Sequence, residues 1–213
     1  MLRSTKEKLQ ALYAGGEHLG TDGRLHPIDT QTLTSPVQGE KIANIHRSLR
    51  PALSVEIGLA YGFSTLYILD AMHEGDYGNH IAIDPVADSF WHGIGLQAVE
   101  DTGLTGRFKW MMESSSDALP MLIRAKQKAQ FIFIDGAHHF DYAFVDFFLS
   151  DRLLDLGGMI LLDDMWMPSI QKVASYISKN MRWYERVDIG HDNLAVFKKI
   201  DQDSRPWDDF KDF

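Results

Sequence analysis

The chain has 213 residues, 45% of them hydrophobic and 24% charged, with a formal net charge of −9 and no cysteine. That length suits one α/β domain with a full core. The acidity argues against a nucleic-acid surface, which needs a basic patch, and the lack of thiols excludes disulfides, thiolate metal sites and a cysteine nucleophile. No basic leader precedes an apolar run and no stretch is long enough to span a bilayer, so the expected setting is cytoplasmic with no membrane partner.

Residues 1–50 read as an N-terminal helical cap. Leu2 to Ala14 patterns as an amphipathic helix ended by Gly15-Gly16, and Thr21 to Pro36 reads as a loop with turn signals at Asp22-Gly23 and His26-Pro27. Val37 to Leu49 is a second helix, with Ile42, Ile45 and Leu49 on one face, stopped before Pro51.

Residues 51–199 carry the core. Ala52 to Ile57 is a short apolar strand, and Phe63, Leu66, Tyr67, Leu69 and Ala71 recur at helical spacing. Between them lies Glu56-Ile57-Gly58-Leu59-Ala60-Tyr61-Gly62-Phe63-Ser64. Its glycines let backbone approach a ligand, and the helix that follows offers N–H groups to an anion. The 58/62 spacing departs from the G-x-G-x-x-G of dinucleotide binders. His80 to Asp84 is a second strand, with Asp84 placed 22 residues after Gly62, where a carboxylate can accept from ribose hydroxyls or cap its own loop.

Val86 to Trp91 is an aromatic loop fit to wall an acceptor. His92 to Asp101 reads as helix and Arg107 to Met112 as strand. The serines of Glu113-Ser114-Ser115-Ser116-Asp117 then precede a helix whose first turn tolerates Pro120. Gln130 to Ile134 is a buried strand ending in Asp135-Gly136-Ala137-His138-His139. Phe140 to Leu156 is a helix burying 140, 143, 144, 147 and 148, with Gly157-Gly158 as its stop. Met159 to Leu162 is a strand ending at Asp163-Asp164, and a helix runs through Ile170, Val173, Ala174 and Ile177. Trp183 to Asp188 and Leu194 to Lys198 form a hairpin, and residues 200–213 an acidic, aromatic tail. Alternating strands and helices ending in a hairpin fit a doubly wound, mainly parallel α/β sheet in a single domain spanning 1–213.

The pattern E-x-G-x-x-x-G-[FY]-S at Glu56 to Ser64 resembles motif I of class I S-adenosylmethionine-dependent methyltransferases. It is most similar to the metal-dependent catechol, caffeoyl-CoA and macrolide-sugar O-methyltransferase branch. The resemblance spans about Gln38 to Lys199 and implies a seven-stranded Rossmann-like sheet, order 3-2-1-4-5-7-6, with the last strand antiparallel. It implies that Glu56, Gly58, Gly62 and Ser64 hold the methionine end of S-adenosylmethionine, Asp84 the ribose and Ser115, beside Glu113, the adenine. Val37 and Gln38 are weak candidates for closing over the cofactor. Asp135 joins the cofactor site and, with Asp163 and Asp164, a site for Mg²⁺, since clustered carboxylates need a cation or protons and hard oxygens suit that ion. His138 stands where catechol-type enzymes place a lysine base and sugar-modifying relatives a histidine; His139 lies beside it, and the other histidines read as surface or packing residues.

These residues lead to an expected transfer of methyl to a hydroxyl of a small molecule, Mg²⁺-assisted, with His138 as base. The alternatives are a metal-independent N- or O-methyltransferase, a nicotinamide-dependent oxidoreductase and a non-catalytic binding protein. The acceptor is beyond the sequence, and a homodimer is left open.

Overall fold

The computed structural model describes residues 1–213, which divide into two units, Met1–Ser114 and Ser115–Phe213. The first holds helix α1 (Arg3–Tyr13), strands β1 (Glu17–Leu19) and β2 (Leu25–Pro27), and α2 (Pro36–Leu49). It continues through β3 (Leu53–Ile57), α3 (Phe63–Gly75), β4 (Asn79–Ile83), α4 (Ile94–Thr102) and β5 (Phe108–Met111). The second holds α5 (Ser115–Arg124), β6 (Ala129–Ile134), α6 (Phe140–Leu153), β7 (Leu154–Leu162), α7 (Pro168–Asn180), β8 (Tyr184–Val187) and β9 (Ala195–Lys199). The seven-stranded sheet has the order β5-β4-β3-β6-β7-β9-β8, which is the expected 3-2-1-4-5-7-6. β4 pairs parallel with β3 and β5, β7 parallel with β6, and β9 antiparallel with both β7 and β8. No helix is long and apolar enough to cross a membrane.

Local chemistry sets the element ends. Every residue of β3 is buried, the polar Ser54 and Glu56 among the apolar Leu53, Val55 and Ile57. Ser35 caps α2 by accepting from the Gln38 amide at 3.2 Å, with Pro36 in the first turn, where no N–H is needed. Gly62, at φ 80°, opens α3 in the left-handed region.

Three local expectations are corrected. The segment read as loop from Thr21 contains β2, which pairs with the preceding β1 as a hairpin, Glu17↔Pro27 and Leu19↔Leu25; strands of three residues are too short to show an alternation. α6 stops at Leu153 and passes straight into β7, so Gly157-Gly158 lies within the strand. A Cβ at Gly158 would sit 2.9 Å from the Gln130 carbonyl oxygen, so the glycine serves strand packing where the register shifts beside Ala129. The buried face of α6 is Ala143, Asp146, Phe147, Ser150 and Leu153, leaving Phe140 and Phe148 exposed. In addition, α5 begins at Ser115, which puts Pro120 in the second turn, where burial of Ala118, Leu119 and Leu122 offsets a lost backbone bond.

His46 on α2 is sealed from solvent, its Nδ1 3.0 Å from the Tyr77 hydroxyl. Burial, then the electrostatic influence of nearby His80 and Arg47, lowers its pKa to about 3. Above the ordinary value near 6.5 the ring is neutral in both folded and unfolded chains. As pH falls from there toward about 3 only the unfolded chain takes the proton, so stability is lost with a slope of up to about 1.4 kcal/mol per pH unit. Urea unfolding between pH 7.5 and 4 should therefore show a shallower acid-side loss for His46→Gln than for the unaltered protein; identical slopes would refute this assignment.

Candidate functional site

In the first unit, the turn after β3 brings backbone against backbone. Gly58 and Gly62 have φ of 94° and 80°, and Ala60 joins them at 45°. A Cβ at Gly95, in the first turn of α4, would lie 2.6 Å from the Ala60 carbonyl oxygen, and one at Gly62 would lie 3.1 Å from Gly95 Cα. Asp84 then ties this turn to the end of β4. Its Oδ2 accepts from the amides of Leu59 (3.0 Å) and Ala60 (3.1 Å) and its Oδ1 from Val86 (2.8 Å). A carboxylate has about four acceptor positions, so three amides leave room for a further donor.

Glu56 is 0% exposed and turned into the core. Its carboxylate accepts from the hydroxyls of Ser64 and Thr65 at the start of α3 and lies 3.2 Å from Nε2 of the equally buried His80. The other ring nitrogen of His80 sits 2.8 Å from Ser54 Oγ. Glu56 and Ser64, both expected to touch the cofactor, thus face each other and shape the turn from beneath. Of the weak candidates, Val37 is exposed and Gln38 buried on α2.

The β1–β2 hairpin, which the sequence did not reveal, braces both loops. Thr21 donates to the Asp88 carboxylate and, through its amide, to the His92 carbonyl at 3.2 Å. The rings of His26 and His92 stack with centroids 4.0 Å apart. Asp29 donates its amide to the Tyr61 hydroxyl (3.0 Å), and Tyr61 meets Trp91 of the aromatic loop edge-on.

In the second unit, β6 ends at Asp135 and β7 at Asp163-Asp164. His138 Nε2 lies 2.7 Å from Asp164 Oδ2 and 3.5 Å from Asp135 Oδ1. Ligand atoms of Asp135, His138 and Asp164 all fall within 4.8 Å of one another. These carboxylates, Asp135 foremost, hold the imidazole's proton and push its pKa to about 10 against the opposing effect of burial. His138 in turn lowers the pKa of Asp164, whose Oδ1 also accepts from the indole of Trp166 (2.8 Å), a side chain 66% exposed. Ser169 fixes the loop by donating to the His138 carbonyl at 2.6 Å.

Asp163 stands outside this trio, nearly buried, its Oδ1 accepting from the Asp164 amide (2.7 Å) and from Asn193 Nδ2 (2.9 Å). Asn193, on the β8–β9 loop, is a contact the sequence reading did not single out. His139 takes the position before α6, its carbonyl accepting from the Ala143 amide and its ring beside Tyr142. Ser115 opens α5 and hydrogen-bonds to Asp146, a buried acid whose pKa burial raises to about 6. Glu113 is exposed.

Comparison with known proteins adds three findings. A family model described as a methyltransferase domain matches residues 55–165, just over half of the chain. A caffeoyl-CoA O-methyltransferase of Stellaria longipes is 26% identical over 169 residues, which cover 74% of this chain and 64% of that relative's length. The fold matches an S-adenosylhomocysteine-bound methyltransferase of Podospora anserina (TM-score 0.70, 14% identity, 94% of this chain and 89% of that one). It also matches an O-methyltransferase of Bacillus cereus in complex with S-adenosylhomocysteine (TM-score 0.67, 18% identity, 93% and 92%).

The close approach at Gly95 is open to a direct test. Gly95→Ala should destabilise the protein by roughly 1–3 kcal/mol, because its methyl meets backbone that cannot step aside. Gly106→Ala, whose Cβ would meet nothing within 4 Å, should stay within about 0.5 kcal/mol of the parent in denaturant unfolding. Equal effects at the two positions would contradict the packing described.

Proposed function

The chain belongs to the methyltransferase-domain family, and from that premise we propose that it moves the methyl group of S-adenosylmethionine to a hydroxyl oxygen of a small molecule, assisted by Mg²⁺. The observation that carries the hydroxyl and metal parts of this reading is the trio of Asp135, His138 and Asp164, with their ligand atoms within 4.8 Å of one another. The named relatives support the cofactor and the oxygen acceptor as the reading for this chain.

Each residue has a role in this proposal. Backbone at Gly58 and Gly62 would admit the methionine end, with Glu56 and Ser64 fixing that turn; Asp84 would accept from the ribose hydroxyls, Ser115 would serve the adenine and Asp135 would be a further cofactor residue. Asp135 and Asp164, with Asp163 behind them, fit a hard divalent cation, their carboxylate oxygens outnumbering the single imidazole nitrogen beside them. Such an ion would bind the acceptor oxygen and lower its pKa. His138 then takes the hydroxyl proton as the oxygen–methyl bond forms and the sulfur–methyl bond breaks, leaving S-adenosylhomocysteine. The acids that suit a cation also hold the proton on His138, so the imidazole becomes a base once their charge is taken up. The nicotinamide alternative is set aside by the family. A metal-free transfer relying on His138 alone is the rival.

The test is release of S-adenosylhomocysteine over a panel of phenols, sugars and polyketides. Chelator should abolish turnover and Mg²⁺ or Mn²⁺ restore it; full activity after chelation would refute the metal. On one accepted substrate, His138→Ala should lower kcat by roughly 10²–10⁴-fold with cofactor affinity unchanged, the loss easing as rising pH ionises the acceptor unaided. His139→Ala should cost far less. A dominant His139 effect would move the base by one residue.

A further inference from the structure

We infer that Asn193 is the positioning residue of the acidic site, its carboxamide setting the arrangement of Asp163 and Asp164 through which the second unit holds a divalent cation. This rests on the metal reading above. The residue arrives from the β8–β9 loop, whose attachment is made by both backbone and side chain. The Asn193 carbonyl accepts from the Met165 amide at 3.2 Å, which fixes the loop against the turn that follows β7. From that anchor, Nδ2 lies 2.9 Å from Asp163 Oδ1 and 3.5 Å from Asp164 Oδ1.

The orientation of the amide is set by charge, because an oxygen in place of Nδ2 would face two carboxylates. One neutral donor thus bridges two adjacent acids. It draws Asp163 Oδ1 toward itself, together with the Asp164 amide, while Asp164 keeps Oδ2 toward His138. Because Asp164 has a left-handed backbone, at φ 54°, the turn depends on such outside fixing more than a relaxed one would.

The other end of the amide gives the second indication. Asn193 Oδ1 is shielded from solvent and accepts no hydrogen bond, and His191 Nδ1 on the same loop is in the same condition. Buried acceptors without partners are rare, and an ion or ordered water is the usual reason for one.

The experiment is calorimetric titration of the full chain with Mn²⁺ alone, with no acceptor and no turnover. Asn193→Ala should weaken Mn²⁺ binding by roughly 10- to 100-fold, while S-adenosylhomocysteine affinity stays at the parent value, which a merely structural role would not produce. Asn193→Ser, which retains a turn-compatible polar residue but cannot span both acids, should show the same loss and serves where the alanine variant fails to fold. Parent-like Mn²⁺ affinity in the folded variant would overturn the role of Asn193 and leave the metal reading standing. Absence of Mn²⁺ binding by the unaltered protein would overturn that reading, and this inference with it.

Discussion

A carboxylate with no access to water governs the first unit. Burial of Glu56 would be prohibitive without partners, since an ionised group taken into the interior loses its hydration. Ser64 and Thr65 from the start of α3 and His80 from β4 supply those partners. The requirement that this charge be satisfied thereby fixes where α3 begins relative to β3 and β4. The glycine turn sits between these elements and takes its shape from them. Asp84 repeats the device one layer out, with amides in place of hydroxyls. The glycine turn is held by carboxyl groups from below and from the side.

The second unit treats charge differently. Asp135 and Asp164 are answered by an imidazole that must carry a proton to do so, and that proton is displaced from its ordinary range by the acids themselves. One proton on His138 offsets only one of the two carboxylate charges, whereas a divalent cation of the kind proposed above would offset both, and the two would compete for the same acids.

What the sequence made legible follows from how each feature is encoded. Gly58, Gly62 and Asp84 could be placed because a close backbone approach and a strand-end acid leave fixed spacings in the chain. Asp135 and His138 are neighbours along it, so their meeting was readable too. Asn193 reaches Asp163 across 30 residues, and nothing in a hairpin loop announces which side chain will bend toward which strand end. That Ser64 donates to Glu56 is a contact only packing shows. The passage from α6 to β7 was missed because a glycine pair signals a helix stop as readily as a strand in tight contact, and Gly158 is needed for the latter.

The bracing hairpin has a consequence for the order in which the protein is made. Thr21 and Asp88 are 67 residues apart, so the hairpin leaves the ribosome well before the loop that it braces. At synthesis rates of about 5–20 residues per second, that gap is on the order of several seconds, long compared with the microseconds in which a hairpin forms. Throughout that interval β1 and β2 have only each other, and two three-residue strands are too little to persist alone. The nascent N-terminal segment is therefore an unfinished surface awaiting its template. The tie from Thr21 to the loop after β4 thus becomes available only after that from Asp29 to Tyr61, which spans 32 residues.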